Sequence, residues 1–164
     1  MDKKSSLKEA KLLRKQDKLE ESNEVLLSLL QEYPDDPQVL FEVGGSYDLL
    51  GSANEAIPYY RRAIDEGLTG PDLQECYICF GICQRAVGDF DEALETLEEA
   101  YDRFEGDNSI KAFHALAMYS TENHSEAVRL LLEILIETSS DPDIQTYSET
   151  LDFYKDNLDE VWES

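Results

Sequence analysis

Basic residues are scarce in this 164-residue chain: 14 Lys and Arg stand against 37 Asp and Glu, for a formal net charge of −23. So acidic a surface repels phosphate backbones, because displacing their counterions takes Lys and Arg. It repels anionic lipid surfaces for the same reason, so neither nucleic acid nor a membrane is an expected partner. Long apolar runs are also lacking. The longest candidate, Val128 to Ile136, is broken by Arg129 and Glu133, far short of a membrane span. The N-terminal stretch is basic but has no apolar secretory core, and the expected compartment is the cytoplasm. Histidine occurs twice, cysteine three times and tryptophan once. No Gly-rich phosphate loop, nucleophile elbow or paired His and carboxylate constellation occurs. The chain is expected not to be an enzyme and to need no cofactor.

The few residues that could carry chemistry have simpler readings. Cys76, Cys79 and Cys83 fall at i, i+3 and i+7, on one helical face where three thiolates could contribute to a soft-metal site. Free cysteine, however, packs as a small apolar side chain, and neither histidine is placed to complete a set, so no metal site is expected. His114 and His124 stand where large apolar or aromatic residues belong and read as core or half-buried positions. Asp89, Asp91 and Glu92 lack the remaining spacing of a calcium loop and suit a helix start, where acids complement the helix dipole.

What the chain does have is a period. Ala10, Gly44, Gly81 and Ala115 form one series of small residues, and Ser22, Ala56, Ala93 and Ala127 form a second. Successive members lie 34, 37 and 34 residues apart in both, and the two series stay twelve residues apart. Such a period marks stacked helix–turn–helix units, which expose extended binding surfaces. The apolar spacing agrees: Leu40, Val43, Gly44 and Tyr47 share one helical face, and Ala56, Tyr60, Ala63 and Ile64 share the next. Tyr77, Phe80 and Gly81 are followed by Ala93, Leu97, Ala100 and Tyr101; Phe113, Ala115 and Met118 by Ala127, Leu131, Ile134 and Leu135. The small residues let paired helices approach closely.

These units resemble tetratricopeptide repeats. Gly44, Tyr47, Ala56, Tyr60 and Ala63 match the family pattern in the second unit, and Gly81, Phe90, Ala93 and Ala100 in the third. The likeness extends over about residues 3–141, and Val39 to Tyr154 resembles the small bacterial group-five tetratricopeptide-repeat proteins. It implies an all-α, right-handed α-α superhelix. One domain spans 1–164, with repeats at about 3–36, 37–70, 74–107 and 108–141. Ile144, Tyr147, Leu151, Tyr154, Leu158 and Val161 form one further stripe, read as a capping helix over 143–162 with Trp162 pinning its end. The three extra residues near Gly67–Pro71 are expected to lengthen a loop after a left-handed stop at Gly67. Pro58 is placed in the first turn of its helix, where it does no harm.

The resemblance also implies a concave groove lined by the first helix of each unit. The matching residues are Lys11 in unit one; Phe41 and Asp48 in unit two; Ile78, Ile82 and Arg85 in unit three; and Leu116 and Tyr119 in unit four. The Lys and Asn of the family's carboxylate-clamp subset are absent: those positions hold Leu7 and Lys11, then Phe41 and Gly45. The expected role is a protein-interaction adaptor that takes an apolar or amphipathic peptide in this groove, with Arg85 as a carboxylate anchor, and the acidic body also suits a basic partner. Charge adds an alternative. Residues 1–18 carry seven basic and three acidic residues, and the remaining 146 carry seven basic and 34 acidic. The basic first helix could dock on acidic surface of its own chain or of a second copy, giving a homodimer.

Overall fold

The computed structural model describes residues 2–162. Ten helices are formed among them: α1 (Lys3–Lys15), α2 (Leu19–Glu32), α3 (Pro37–Leu49), α4 (Ala53–Asp65), α5 (Gly70–Ala86), α6 (Phe90–Arg103), α7 (Asn108–Ser120), α8 (His124–Thr138), α9 (Pro142–Thr146) and α10 (Ser148–Lys155). None is long and apolar enough to cross a membrane.

Two local devices repeat with the sequence period. The first is an aspartate N-cap. Asp2 accepts from Ser5 N, Asp36 from Gln38 N and Val39 N, Asp107 from Ile110 N, and Asp141 from Asp143 N. Each satisfies an amide that a helix start leaves without an intrahelical partner. The second is the turn inside each helix pair. Gly51 N bonds Asp48 O while Ser52 N bonds Tyr47 O, and the same pair of bonds recurs around Asp17, Gly88 and Glu122. This paired closure needs a residue of positive φ, and those four have φ of 60°, 76°, 90° and 66° in chain order.

The third repeat departs from the expected boundaries. Gly67 does stop α4, with φ 91° and the same closure through Gly67 N to Ile64 O and Leu68 N to Ala63 O. The three inserted residues, however, do not lengthen a loop. They extend α5 backward to Gly70, with Pro71 in its first turn and Leu73 buried. The aspartate series is interrupted here: Thr69 precedes the helix without a side-chain cap bond. With no cap to stop it, the helix runs back to the proline, which is tolerated where no intrahelical N–H is needed. Pro58 also sits differently. Because α4 begins at Ala53, Pro58 is in its second turn, and the helix continues to Asp65. Pro58 and Asn54, whose carbonyl loses its usual donor, are both exposed.

The chain packs as two compact units divided between Thr96 and Leu97, inside α6. In the first, α1 packs on α2, α2 on α3, α3 on α4 and α4 on α5. Leu7, Ala10, Leu26, Leu29, Val39 and Val43 form a buried cluster flanked by Tyr33, Tyr47 and Tyr59. Ser22 donates its hydroxyl to the Ala10 carbonyl at 2.8 Å, so the small pair of the first repeat is joined by a hydrogen bond as well as by contact. In the second unit α7 packs on α8 and α10 on α8, around Ala115, Ala127 and Leu130.

The expected capping helix over 143–162 is not a single helix. It breaks at Tyr147 into α9 and α10, and the regular structure ends at Lys155. Tyr147 and Val161, both in the predicted stripe, are exposed. Trp162 does fold back: its ring stacks 5.9 Å from Phe153 and its Nε1 donates to Tyr154 Oη at 3.1 Å.

Candidate functional site

The first unit carries a cavity of about 330 Å³ whose three sides come from different helices. α1 supplies Lys11, Arg14 and Lys15 to its wall, and α5 supplies Asp72, Glu75 and Cys79. Phe41, Glu42 and Gly45 of α3, with Tyr60 of α4, close the remaining side. The volume lies near the lower end of the range for ligand pockets.

The floor is rigid for identifiable reasons. Phe41 is 7% exposed and its ring lies 6.2 Å from that of Tyr60. The Tyr60 hydroxyl donates to Asp48 Oδ2 at 3.0 Å. Burial above all, with the neighbouring Cys79 and the Asp48 carboxylate adding to it, pushes the Tyr60 phenol far above its ordinary value. It therefore stays a neutral donor. Glu42 is buried, yet it is a charge within the run Val39–Val43. Its partners come from α1: Lys11 Nζ at 3.5 Å and Arg14 Nη2 at 3.3 Å. Burying a carboxylate is costly unless it is paired in this way. With Lys3 paired to Asp36, these contacts dock the basic first helix onto α3 of its own chain. Burial works to raise the Asp36 pKa, but the Lys3 bond and the amides of Val39 and Gln38 outweigh it and hold Asp36 below its usual range.

Of the eight groove residues expected from the sequence, Lys11 and Phe41 line this cavity. Asp48 lies behind it, holding Tyr60. Ile78, Ile82 and Arg85 are half-buried along α5. Leu116 and Tyr119 belong to the second unit, where both are exposed on α7 and the Tyr119 ring lies 5.1 Å from His124. Sequence reasoning missed Glu42 and Asp72. For Glu42 a signal existed: a lone acid inside an apolar helical run requires a cationic partner.

A larger open groove of about 650 Å³ runs along α1, where Lys3, Lys4, Lys8, Lys11 and Lys15 alternate with Leu7 and Leu12 beside Gln38. Leu12 is 55% exposed there.

The thiols offer little reactivity. Burial raises all three, with nearby carboxylates adding to it and Cys79 also raising Cys76 and Cys83. Cys79 is pushed up to about 11 and Cys83 to about 12. They are protonated at neutral pH, and the thiolate is the nucleophilic and metal-binding form. In the second unit His114 is 3% exposed, its ring 5.2 Å from Tyr101, and neither ring nitrogen has a hydrogen-bond partner. Burial lowers its pKa against the opposing pull of Glu98 and Asp102, so it is a neutral core residue.

Repeated helix pairs with closely packed small residues define a tetratricopeptide-repeat protein. The sequence model described as tetratrico peptide repeat matches residues 37–158, and a second, described as tetratricopeptide repeat, matches residues 4–36. The chain belongs to the tetratricopeptide-repeat family. Among solved structures it is similar to MamA 41-end from Desulfovibrio magneticus RS-1, with a TM-score of 0.75 and 15% identity over 94% of this chain and 85% of that one. It is also similar to YrrB, described as a TPR protein with an unusual peptide-binding site, with a TM-score of 0.70 and 18% identity over 86% of this chain and 71% of that one. A tetratricopeptide-repeat protein from Parabacteroides merdae gives a TM-score of 0.73 and 20% identity over 90% of this chain and 57% of that one. At these identities the likeness is one of fold, the all-α repeat solenoid. A search of curated proteins gives no match.

Proposed function

We propose that this protein is an interaction module, not an enzyme, and that it binds an amphipathic peptide segment through the cavity of its first unit. The observation that carries the reading is the cavity's construction: aromatic floor, charged walls and a volume suited to a side chain with its flanking groups. Apolar burial on Phe41 and Tyr60 supplies affinity, and the charged walls supply orientation. The family's role in protein interaction and the peptide-binding site named for YrrB favour the same reading. Ile78, Ile82 and Arg85 extend the surface along α5, while Leu116 and Tyr119 offer a separate apolar patch in the second unit. Three free cysteines suit the reducing cytoplasm.

The test is selection of an unbiased peptide display library on the full chain, with affinities measured by fluorescence anisotropy. Binders that compete with one another and weaken in Gly45→Leu, which fills the cavity, support the reading. Failure to recover any binder overturns it.

Self-association is the second reading, favoured by the exposed Lys4, Lys8, Lys15 and Leu12 beside an otherwise acidic chain. Sedimentation at low and high salt separates the two: a dimer that dissociates with salt supports charge-driven pairing, and a monomer at both excludes it.

A further inference from the structure

We propose that the first-unit cavity recognises a pair of opposite charges on its partner: a peptide segment in which one acidic and one basic residue flank an apolar side chain. This rests on the peptide-binding reading above and specifies the chemistry of the ligand.

The walls differ in sign. On the α1 side, Lys11, Arg14 and Lys15 face a single carboxylate, Glu42, which leaves a cationic excess. On the α5 side stand Asp72 and Glu75. Phe41 and Tyr60 line the same cavity, and Lys11, Lys15 and Glu75 are exposed; a bound segment that covers them lowers the local dielectric and strengthens each charge contact. A segment carrying a carboxylate toward α1 and an ammonium or guanidinium toward α5 is matched at both walls. A segment with two like charges is repelled at one of them.

The floor is also kept open at a position where the fold does not require it. Glycine inside a helix is disfavoured relative to alanine, yet α3 has two in succession. Gly44 is explained by packing: a Cβ there would lie 2.8 Å from Tyr60 Cδ1. Gly45 is not. A Cβ there would make ordinary contacts of 3.9 Å with Arg14 Nη2 and the Tyr60 hydroxyl. Alanine would fit, and a longer side chain would enter the cavity. The missing side chain at Gly45 is room for the partner's apolar residue.

The experiment takes peptides recovered by display on the full chain and resynthesises them in four forms: opposite charges, two acids, two bases, and two serines around the central apolar residue. The opposite-charge form is expected to bind at least about tenfold more tightly than the others, a loss of roughly one wall's contribution. Gly45→Leu should abolish that binding while Gly45→Ala keeps most of it. Lys15→Glu should shift preference toward two bases, and Glu75→Lys toward two acids. Both of these residues are exposed, so the reversals test the walls even if Gly45→Leu fails to fold. Recovered peptides indifferent to charge, or binding unchanged by both reversals, would overturn the inference and leave the peptide-binding reading standing. A library without binders removes both.

Discussion

Gly44 lies against the ring of Tyr60, so closely that a Cβ at position 44 would fall 2.8 Å from Cδ1 and 2.9 Å from Cε1. Both residues belong to the periodic pattern, and the contact explains why: Tyr60 is 1% exposed and cannot retreat. Gly44→Ala is expected to lower stability by about 1–3 kcal/mol through overpacking. Gly45→Ala, one residue on, should be neutral or stabilising by up to about 1 kcal/mol, because a Gly in a helix interior is replaced without a clash. Urea unfolding of the two variants checks this; equal effects would show that the Tyr60 contact does not constrain α3.

The turns inside the helix pairs make a second prediction. Glu122 adopts φ 66° where Gly51 and Gly88 hold the equivalent position. Left-handed backbone costs an ordinary L-residue roughly 1 kcal/mol. Glu122→Gly should raise stability by about that amount, and Gly88→Ala should lower it similarly. Asp17→Gly should gain less, since aspartate tolerates this region better. Thermal melts of the three variants in one buffer provide the ranking.

His114 predicts a pH dependence. Its folded pKa is lowered by burial, against Glu98 and Asp102. The unfolded chain therefore takes up a proton first as pH falls. Stability is fully present above the ordinary value of 6.5 and declines as pH drops through it toward the lower folded value. His114→Phe should flatten the decline between about pH 7.5 and pH 5.5 and, by removing two unsatisfied nitrogens, should not reduce stability at neutral pH. A slope unchanged by the substitution would assign the pH dependence to other groups.

Glu42 makes a test of how α1 is held. Its removal strands Lys11 and Arg14, but their side chains are 53% and 30% exposed and can turn to water. Glu42→Gln should therefore cost about 1–2 kcal/mol, less than breaking a wholly buried pair. Hydrogen exchange should locate the loss in α1, with faster amide exchange there than in α4. Uniform acceleration across the first unit would contradict a local docking role.

The period of small residues and the all-α class were legible in the chain, because each depends on interactions within a helix pair. Gly51 and Gly88 mark their turns, and Asp36 and Asp107 mark helix starts, through bonds spanning only a few residues. The errors fall where a local signal had competition. The segment Gly67–Pro71 looks like a loop, but without an aspartate cap the helix runs back as far as Gly70. The stripe from Ile144 to Val161 has a helical period, but it breaks at Tyr147.

The candidate site was only partly readable, for a different reason. Phe41 and Tyr119 both stand at expected groove positions, yet one is 7% exposed and the other 62%; neighbours from other helices decide which is covered. Cationic residues of α1 and acidic residues of α5 come together across α3 only when the helices stack. Periodicity along the chain fixed which face of most helices is buried, because that face repeats every few residues; α8 departs from it, with Leu131 and Leu135 exposed and Leu130 buried instead. Which charges meet across the cavity was decided by tertiary packing alone, because no short-range pattern couples side chains so far apart in sequence.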